Sequence, residues 1–170
     1  KTDLFKYLEE LGDIKEITCP FTGQKHVALR TPKIDVFILH APYADPIGNV
    51  QMERGSVSLY EQALMASKVI VTVEEVISTE DVMRRPYDTV IPGKFVDAVV
   101  KVPYGAHPMG MGGFYDDDRD HLMYYAKTAR APEGFREYVD KYVFGVKDHW
   151  EYLNLIGLER LLELRQTRGV

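Results

Sequence analysis

Leu4, Leu8 and Leu11 recur at helical spacing behind the capping pair Thr2-Asp3, and Gly12 follows as a stop, so the spacing predicts a short opening helix. Ile34 to His40 is a compact apolar run rich in β-formers whose one charge, Asp35, stands at its entry, the pattern of a buried strand. Pro42, Asp45, Pro46 and Gly48-Asn49 supply turn chemistry, after which Tyr60, Ala63, Leu64 and Ser67 return to helical spacing. Lys68 to Val73 reads as a second buried strand, and Ser78-Thr79-Glu80-Asp81 places capping residues and first-turn acids at the head of a short helix running to Pro86. Phe95 to Val102, introduced by Ile91-Pro92-Gly93, reads as a third strand. From about Asp118 the pattern is helical. Phe135, Tyr138, Val139, Tyr142 and Val143 form an apolar stripe, Asp148 with Glu151 suggests a capping box, and Gly157 interrupts the last helical region.

Strands separated by helical segments imply an α/β fold with parallel pairing through right-handed crossovers. The expected organisation is one domain over 1–170, with a sheet region over 1–117 and a helical tail over 118–170. In such folds function gathers in the loops at the carboxyl ends of the strands. Here those ends carry Ala41-Pro42-Tyr43, Glu74-Glu75 and Pro103-Tyr104-Gly105.

A chain of 170 residues that is 45% hydrophobic and 28% charged fits one globular domain, which buries roughly 70% of its unfolded surface and needs no staple. The 26 acidic against 21 basic residues leave a net charge of -5, which argues against nucleic acid or an anionic membrane as partner. A single cysteine, Cys19, forms no internal disulfide, and the five histidines show no zinc spacing. The longest apolar stretches fall far short of the about 18 residues of a membrane span. A reducing cytoplasm is the expected compartment. Because the chain opens Lys1-Thr2-Asp3 without an initiator Met or signal-peptide core, it is expected to begin inside a longer protein.

Walker, serine-hydrolase, zinc-protease and EF-hand signatures are absent. Gly110-Met111-Gly112-Gly113 lacks dinucleotide spacing and reads as a loop, and Asp116 to Asp120 reads as a solvated helix entry instead of a calcium loop. Cys19, between Thr18 and Pro20, lacks a recognisable base and reads as inert. His40 at a strand end reads as a satisfied core or hinge residue. His107, in the Pro-bracketed run Pro103 to Pro108, is either a hydrogen-bonded loop residue or a ligand contact. Glu74 and Glu75, adjacent on a strand, point to opposite faces and so do not form an acid/base pair.

The ordered segments Pro20-Phe21-Thr22-Gly23, Ile38 to Asp45 with Gly48-Asn49-Val50-Gln51, Val71 to Val76, Ile91-Pro92-Gly93 with Phe95 to Val100, and Pro103 to Pro108 resemble the α subunit of family I CoA transferases, of the glutaconate type. The resemblance runs from about Thr18 to Leu158. It implies a three-layer α/β/α sandwich around a mainly parallel sheet, shared with ribose-phosphate isomerases, and a β subunit partner in an α2β2 assembly. Acyl-CoA and a carboxylic acid would be the substrates, with CoA as substrate and no permanently bound cofactor or metal. The implied reaction is ping-pong through an acyl anhydride and a glutamyl-CoA thioester.

The chain resembles the carboxyl-terminal two thirds of that subunit, and the resemblance places the catalytic glutamate on the partner. Glu53-Arg54-Gly55 matches the transferase Glu-x-Gly triplet but stands where the rest resembles the α side, so it is read as a chance match. Cys19 occupies a position where serine is common. Catalytic residues of this chain stay unassigned, and Gly48, Asn49, Glu75, Tyr104, Gly105 and His107 are the expected substrate contacts. Two other readings stay open: the α subunit of a hydrolase opening a CoA-linked steroid ring, and a noncatalytic interaction or metabolite-sensing domain.

Overall fold

The structure, a computed structural model, describes residues 2–52 and 58–165. The chain divides into two compact units, residues 1–34 and 35–170. In the first, α1 (Asp3–Glu10) is capped by Thr2, whose hydroxyl accepts the Phe5 N–H at 3.3 Å. It leads into an antiparallel hairpin, β1 (Ile14–Thr18) and β2 (Lys25–Leu29), in which Ile14 faces Leu29. Cys19 and Gln24 close the loop with a 2.8 Å backbone hydrogen bond.

The second unit is built on a five-stranded sheet in the order β6-β4-β3-β5-β7. Its strands are β3 (Ile34–Ala44), β4 (Val50–Gln51), β5 (Ala66–Val76), β6 (Thr89–Ile91) and β7 (Ala98–Lys101). β5 and β7 are parallel, and β4 is antiparallel to both β3 and β6. The Thr72 hydroxyl reaches the Leu39 carbonyl and the Ile77 N–H reaches that of Ala44, an equal advance along both chains, so β3 and β5 run the same way. Only the two-residue β4 opposes the common direction among the described residues.

The connections are α2 (Leu59–Met65), α3 (Thr79–Arg84), and after the sheet α4 (Arg119–Thr128), α5 (Pro132–Val139) with a π-helical turn over Asp140–Phe144, α6 (His149–Ile156) and α7 (Leu158–Leu164). The caps are those the sequence marks. Ser78 accepts the Asp81 N–H, Asp148 accepts the Glu151 N–H, and the Glu151 carboxylate reaches back to the Lys147 N–H. Gly157, at φ +95°, divides α6 from α7. No helix among the described residues is long and apolar enough to cross a membrane.

Val69, Val71 and Val73 of β5 pack with Ala41, Ala44, Val50, Ile91 and Ala63 of α2 into the core, each buried valine contributing roughly 1.5–3 kcal/mol. The other face of the same strands is different. Val36 is 47%, Ile38 67% and Val100 46% exposed, although the run from Ile34 reads in sequence as buried on both sides. Phe37 and Leu39 reach the core; their alternate neighbours stand open because helix packing covers one face of this part of the sheet among the described residues.

The turn from β3 to β4 is locked to the turn after β6. Asp45, fully buried, accepts the Ile47 and Asn49 N–H groups and the Asn49 side-chain amide, while Asn49 Oδ1 accepts the Gly93 N–H at 2.9 Å. Gly48 takes φ +93°, and a Cβ on Gly93 would overlap the Ile47 carbonyl. Gly93→Ala is therefore expected to destabilise by about 2 kcal/mol, measured as a drop in denaturant midpoint; an unchanged midpoint would show that the two turns separate freely.

Candidate functional site

At the carboxyl end of β5, on the face opposite the core valines, Thr72 and Glu74 project side by side. Glu74 is 5% exposed yet carries a carboxylate. Its Oε1 accepts His40 Nε2–H at 2.7 Å and the Tyr115 hydroxyl at 2.6 Å, and its Oε2 accepts the Tyr104 N–H at 2.8 Å. The other ring nitrogen of His40 faces the Thr72 hydroxyl at 2.8 Å. Burial raises the Glu74 pKa, but the hydrogen bonds from His40, Tyr115 and Tyr104 together outweigh it and hold the carboxyl below the usual range. Burial and the bond to Glu74 push the Tyr115 hydroxyl up, so it remains a donor.

This carboxylate anchors the loop that follows β7. Tyr104 sits at φ +57°, a conformation that costs a non-glycine residue about 1 kcal/mol or more unless its surroundings hold it. The holding contacts are Glu74 on its N–H, the Tyr115 ring stacked 4.6 Å away, and its own hydroxyl on the Leu161 carbonyl. Gly105 lies on the His40 ring so closely that a Cβ would meet Cε1 at 2.5 Å, and the Ala106 N–H donates to Tyr115. The loop is thus built from the sheet upward.

His107, two residues on, turns the other way. Its side chain is fully buried, with Nδ1 on the Tyr152 hydroxyl at 2.6 Å and Nε2 on Asp118 at 3.2 Å. Burial lowers its pKa below that of an ordinary imidazole despite the opposing pull of Asp118. Asp118 caps α4 through the His121 N–H and takes two hydrogen bonds from Arg160, which hold its carboxyl well below the ordinary range. It is therefore a buried link and not a solvated helix entry. The nearby tyrosines pack on one another and on His121, whose Nε2 meets the Tyr138 hydroxyl at 2.7 Å.

Of the residues singled out in sequence, Tyr104 and Gly105 come together over Glu74 and His40. Gly48 and Asn49 lie in the turn locked to Gly93, Glu75 is half-buried on the face opposite Glu74, and His107 is enclosed beside α4 and α6. Glu53-Arg54-Gly55 lies outside the described residues. His40 is satisfied at both ring nitrogens, as expected, although it lies within β3, which runs on to Ala44, and not at a strand end.

Sequence reasoning misses Arg85 and the cleft beside it. The cleft, about 360 Å³, is lined by Pro42, Tyr43, Gln51, Met52, Arg85, Asp88, Met111 and Gly112-Gly113. Met111 to Gly113, part of a run that is a plain loop by its sequence, line the cleft, and that loop is closed by a bridge between Met111 and Tyr115. Among the described residues no group of three His, Cys, Asp or Glu side chains is arranged to hold a metal.

Residues 9–102 match the family model described as Coenzyme A transferase. The chain is 41% identical over 169 residues to the A-type subunit of the glutaconate CoA-transferase of Acidaminococcus fermentans, covering 99% of this chain and 50% of that protein. It is 37% identical over 141 residues to the A-type subunit of the 3-oxoadipate CoA-transferase of Pseudomonas knackmussii, covering 82% and 49%. The crystal structure of glutaconate coenzyme A-transferase from Acidaminococcus fermentans superposes with a TM-score of 0.81 at 43% identity, over 93% of this chain and 50% of that one. The chain thus spans about half the length of these relatives. With its sheet order, flanking helices and family match in agreement, it belongs to the coenzyme A transferase family.

Proposed function

We propose that this chain is the α-side part of a cytoplasmic CoA transferase that moves CoA from an acyl-CoA to a short dicarboxylic acid, with the nucleophilic glutamate on a β subunit in an α2β2 enzyme. The observation that carries this division of labour is the state of Glu74: buried, ionised and engaged by three donors on its two oxygens, it lacks the exposure of a nucleophile and is held as a structural acceptor. Dicarboxylic substrates are suggested by the glutaconate and 3-oxoadipate enzymes to which the chain is similar.

In the proposed cycle the partner's glutamate attacks the thioester carbonyl, the C–S bond breaks, and CoA leaves as thiolate from an acyl-glutamyl anhydride. The thiolate then attacks the glutamyl carbonyl, releasing the first acid and leaving a glutamyl-CoA thioester. The incoming carboxylate attacks that thioester to form a second anhydride and free the thiolate. Attack of the thiolate on the acyl side gives the new acyl-CoA and restores the glutamate. Each tetrahedral oxyanion needs N–H donors fixed in advance. In this reading the loop of Tyr104 and Gly105 meets the acyl end, while Gly48, Asn49 and His107 shape the loops around it.

The test is covalent trapping. The reconstituted complex, given acyl-CoA without acceptor and then borohydride, should carry its reduced glutamyl mark on a β-subunit peptide. A mark on Glu53, Glu74 or Glu75 would invert the assignment. Ring-opening hydrolysis without CoA exchange would favour the hydrolase reading, and neither activity would favour a noncatalytic domain.

A further inference from the structure

We infer that Arg85 is the specificity-determining residue of the cleft, holding the carboxylate of the acyl group that is remote from the thioester; this rests on the CoA-transfer reading. Arg85 is the residue at which α3 ends, and its carbonyl accepts both the Asp88 N–H at 3.1 Å and the Gln51 side-chain amide at 2.8 Å. The same Gln51 amide donates to the Val82 carbonyl at 3.0 Å, and Pro86 follows Arg85 directly. Gln51 is 1% exposed, so a buried side chain of the sheet fixes where the arginine leaves the helix.

The side chain is then guided across the cleft. Its guanidinium lies 5.9 Å from the centre of the Tyr43 ring, which packs 5.4 Å from that of Phe114. The side chain is 57% exposed, and its charge contact with Asp88, at 3.9 Å, is at the edge of ion-pair range. Such a guanidinium retains a fork of donors matched to a carboxylate. Gly112 and Gly113, which carry no side chain, also line the cleft, and neither puts a side chain into it.

The remaining walls decide the ligand class. Pro42, Tyr43, Met52 and Met111 give an apolar path, and the volume of about 360 Å³ is near the lower end of small-molecule pockets. One arginine opposed by Asp88 is too little positive charge for the phosphates of CoA. A singly charged carboxylate on a short aliphatic chain matches both the charge and the walls.

The experiment uses the reconstituted enzyme with acetyl-CoA as donor and glutarate or butyrate as acceptor. For Arg85→Gln, KM for glutarate should rise about 30-fold with kcat changed less than about threefold, which is the worth of one charge-assisted pair. The change with butyrate should be at least tenfold smaller. Asp88→Asn should act in the opposite direction and lower KM for glutarate. If Arg85→Gln does not assemble, Arg85→Lys, with the charge but not the fork, should give an intermediate KM.

Equal effects on the two acids, or no effect on either, would overturn the assignment. A wild-type complex that transfers CoA to neither acid would refute the transferase reading. Calorimetric titration of glutarate into the same complex would then judge Arg85 separately: weaker binding in Arg85→Gln supports its role, and equal or absent wild-type binding overturns it.

Discussion

Asp118→Ala should lower the melting temperature by about 10 °C, corresponding to roughly 3–4 kcal/mol for a chain of this size. The carboxylate has 3% side-chain exposure and serves three segments at once: the start of α4 through His121, α7 through two bonds from Arg160, and the loop after β7 through His107. Alanine removes the cap and leaves a fully buried imidazole without its acceptor. The sign of the pH dependence follows from the same contacts. Arg160 depresses the folded pKa of Asp118, so its stabilisation is present above the unfolded value of about 3.9 and is lost as pH falls through the folded value. Burial lowers the folded pKa of His107 as well, so below about pH 6.5 the unfolded chain gains a proton that the folded chain resists, and stability declines there first. Thermal melts from pH 7 down to pH 4 test the His107 statement, and continuing them to pH 1 tests that on Asp118. A variant melting within 2 °C of the parent, or a parent that gains stability on acidification, would refute this account.

Glu74→Gln should leave the complex assembled and cut its kcat by about 100-fold, the scale of effect when a positioning contact shifts reacting groups by an ångström. The substituted amide places hydrogens where three donors already converge, from His40, Tyr115 and Tyr104. At least one must turn away, and the strained Tyr104 backbone is the least able to stay without its acceptor. Glu74→Asp, which restores an acceptor one methylene shorter, should recover part of the loss. The measurement is steady-state turnover of assembled complexes, with partner binding followed in parallel. Wild-type kcat in Glu74→Gln would mean that the loop keeps its geometry without the carboxylate.

Much of the architecture is legible in the sequence because long elements carry their own period and caps. Ser78, Asp148 and the apolar spacing from Tyr60 locate three helices directly. β4 and β6, with two and three residues, are too short to show any period, and they exist because β3 offers an edge and Asp45 turns the chain back onto it. The β1–β2 hairpin escapes notice for a related reason: Ile17, Val27 and Leu29 are half or more exposed, so its pattern is diluted by Lys, Glu and Thr. A buried strand and a strand covered on one face look alike when both faces are apolar, which is why Val36 and Ile38 read as enclosed.

The candidate site is legible in part. Adjacent carboxylates on a strand must separate, and they do, but only the register with His40 tells which one turns toward the loop. The two-residue step from Thr72 to Glu74, opposite a histidine on the neighbouring strand, is the available signal. Arg85 has none. Its importance comes from the Gln51 amide, 34 residues away in sequence, and no local pattern encodes that contact.

The convergence of three donors on Glu74 also constrains how this site can change over evolutionary time. Replacing the carboxylate alone strands a histidine, a tyrosine hydroxyl and a backbone amide, while replacing any one donor leaves an ionised oxygen with one fewer partner in a buried place. Each single step is therefore unfavourable, although a concerted exchange to apolar side chains of similar shape need not be. Substitutions at His40, Glu74 and Tyr115 should be strongly epistatic, their combined effect smaller than the sum of the separate ones. The sheet ends in a unit of inheritance larger than a residue, and a descendant with a different chemistry at this edge must acquire the set together.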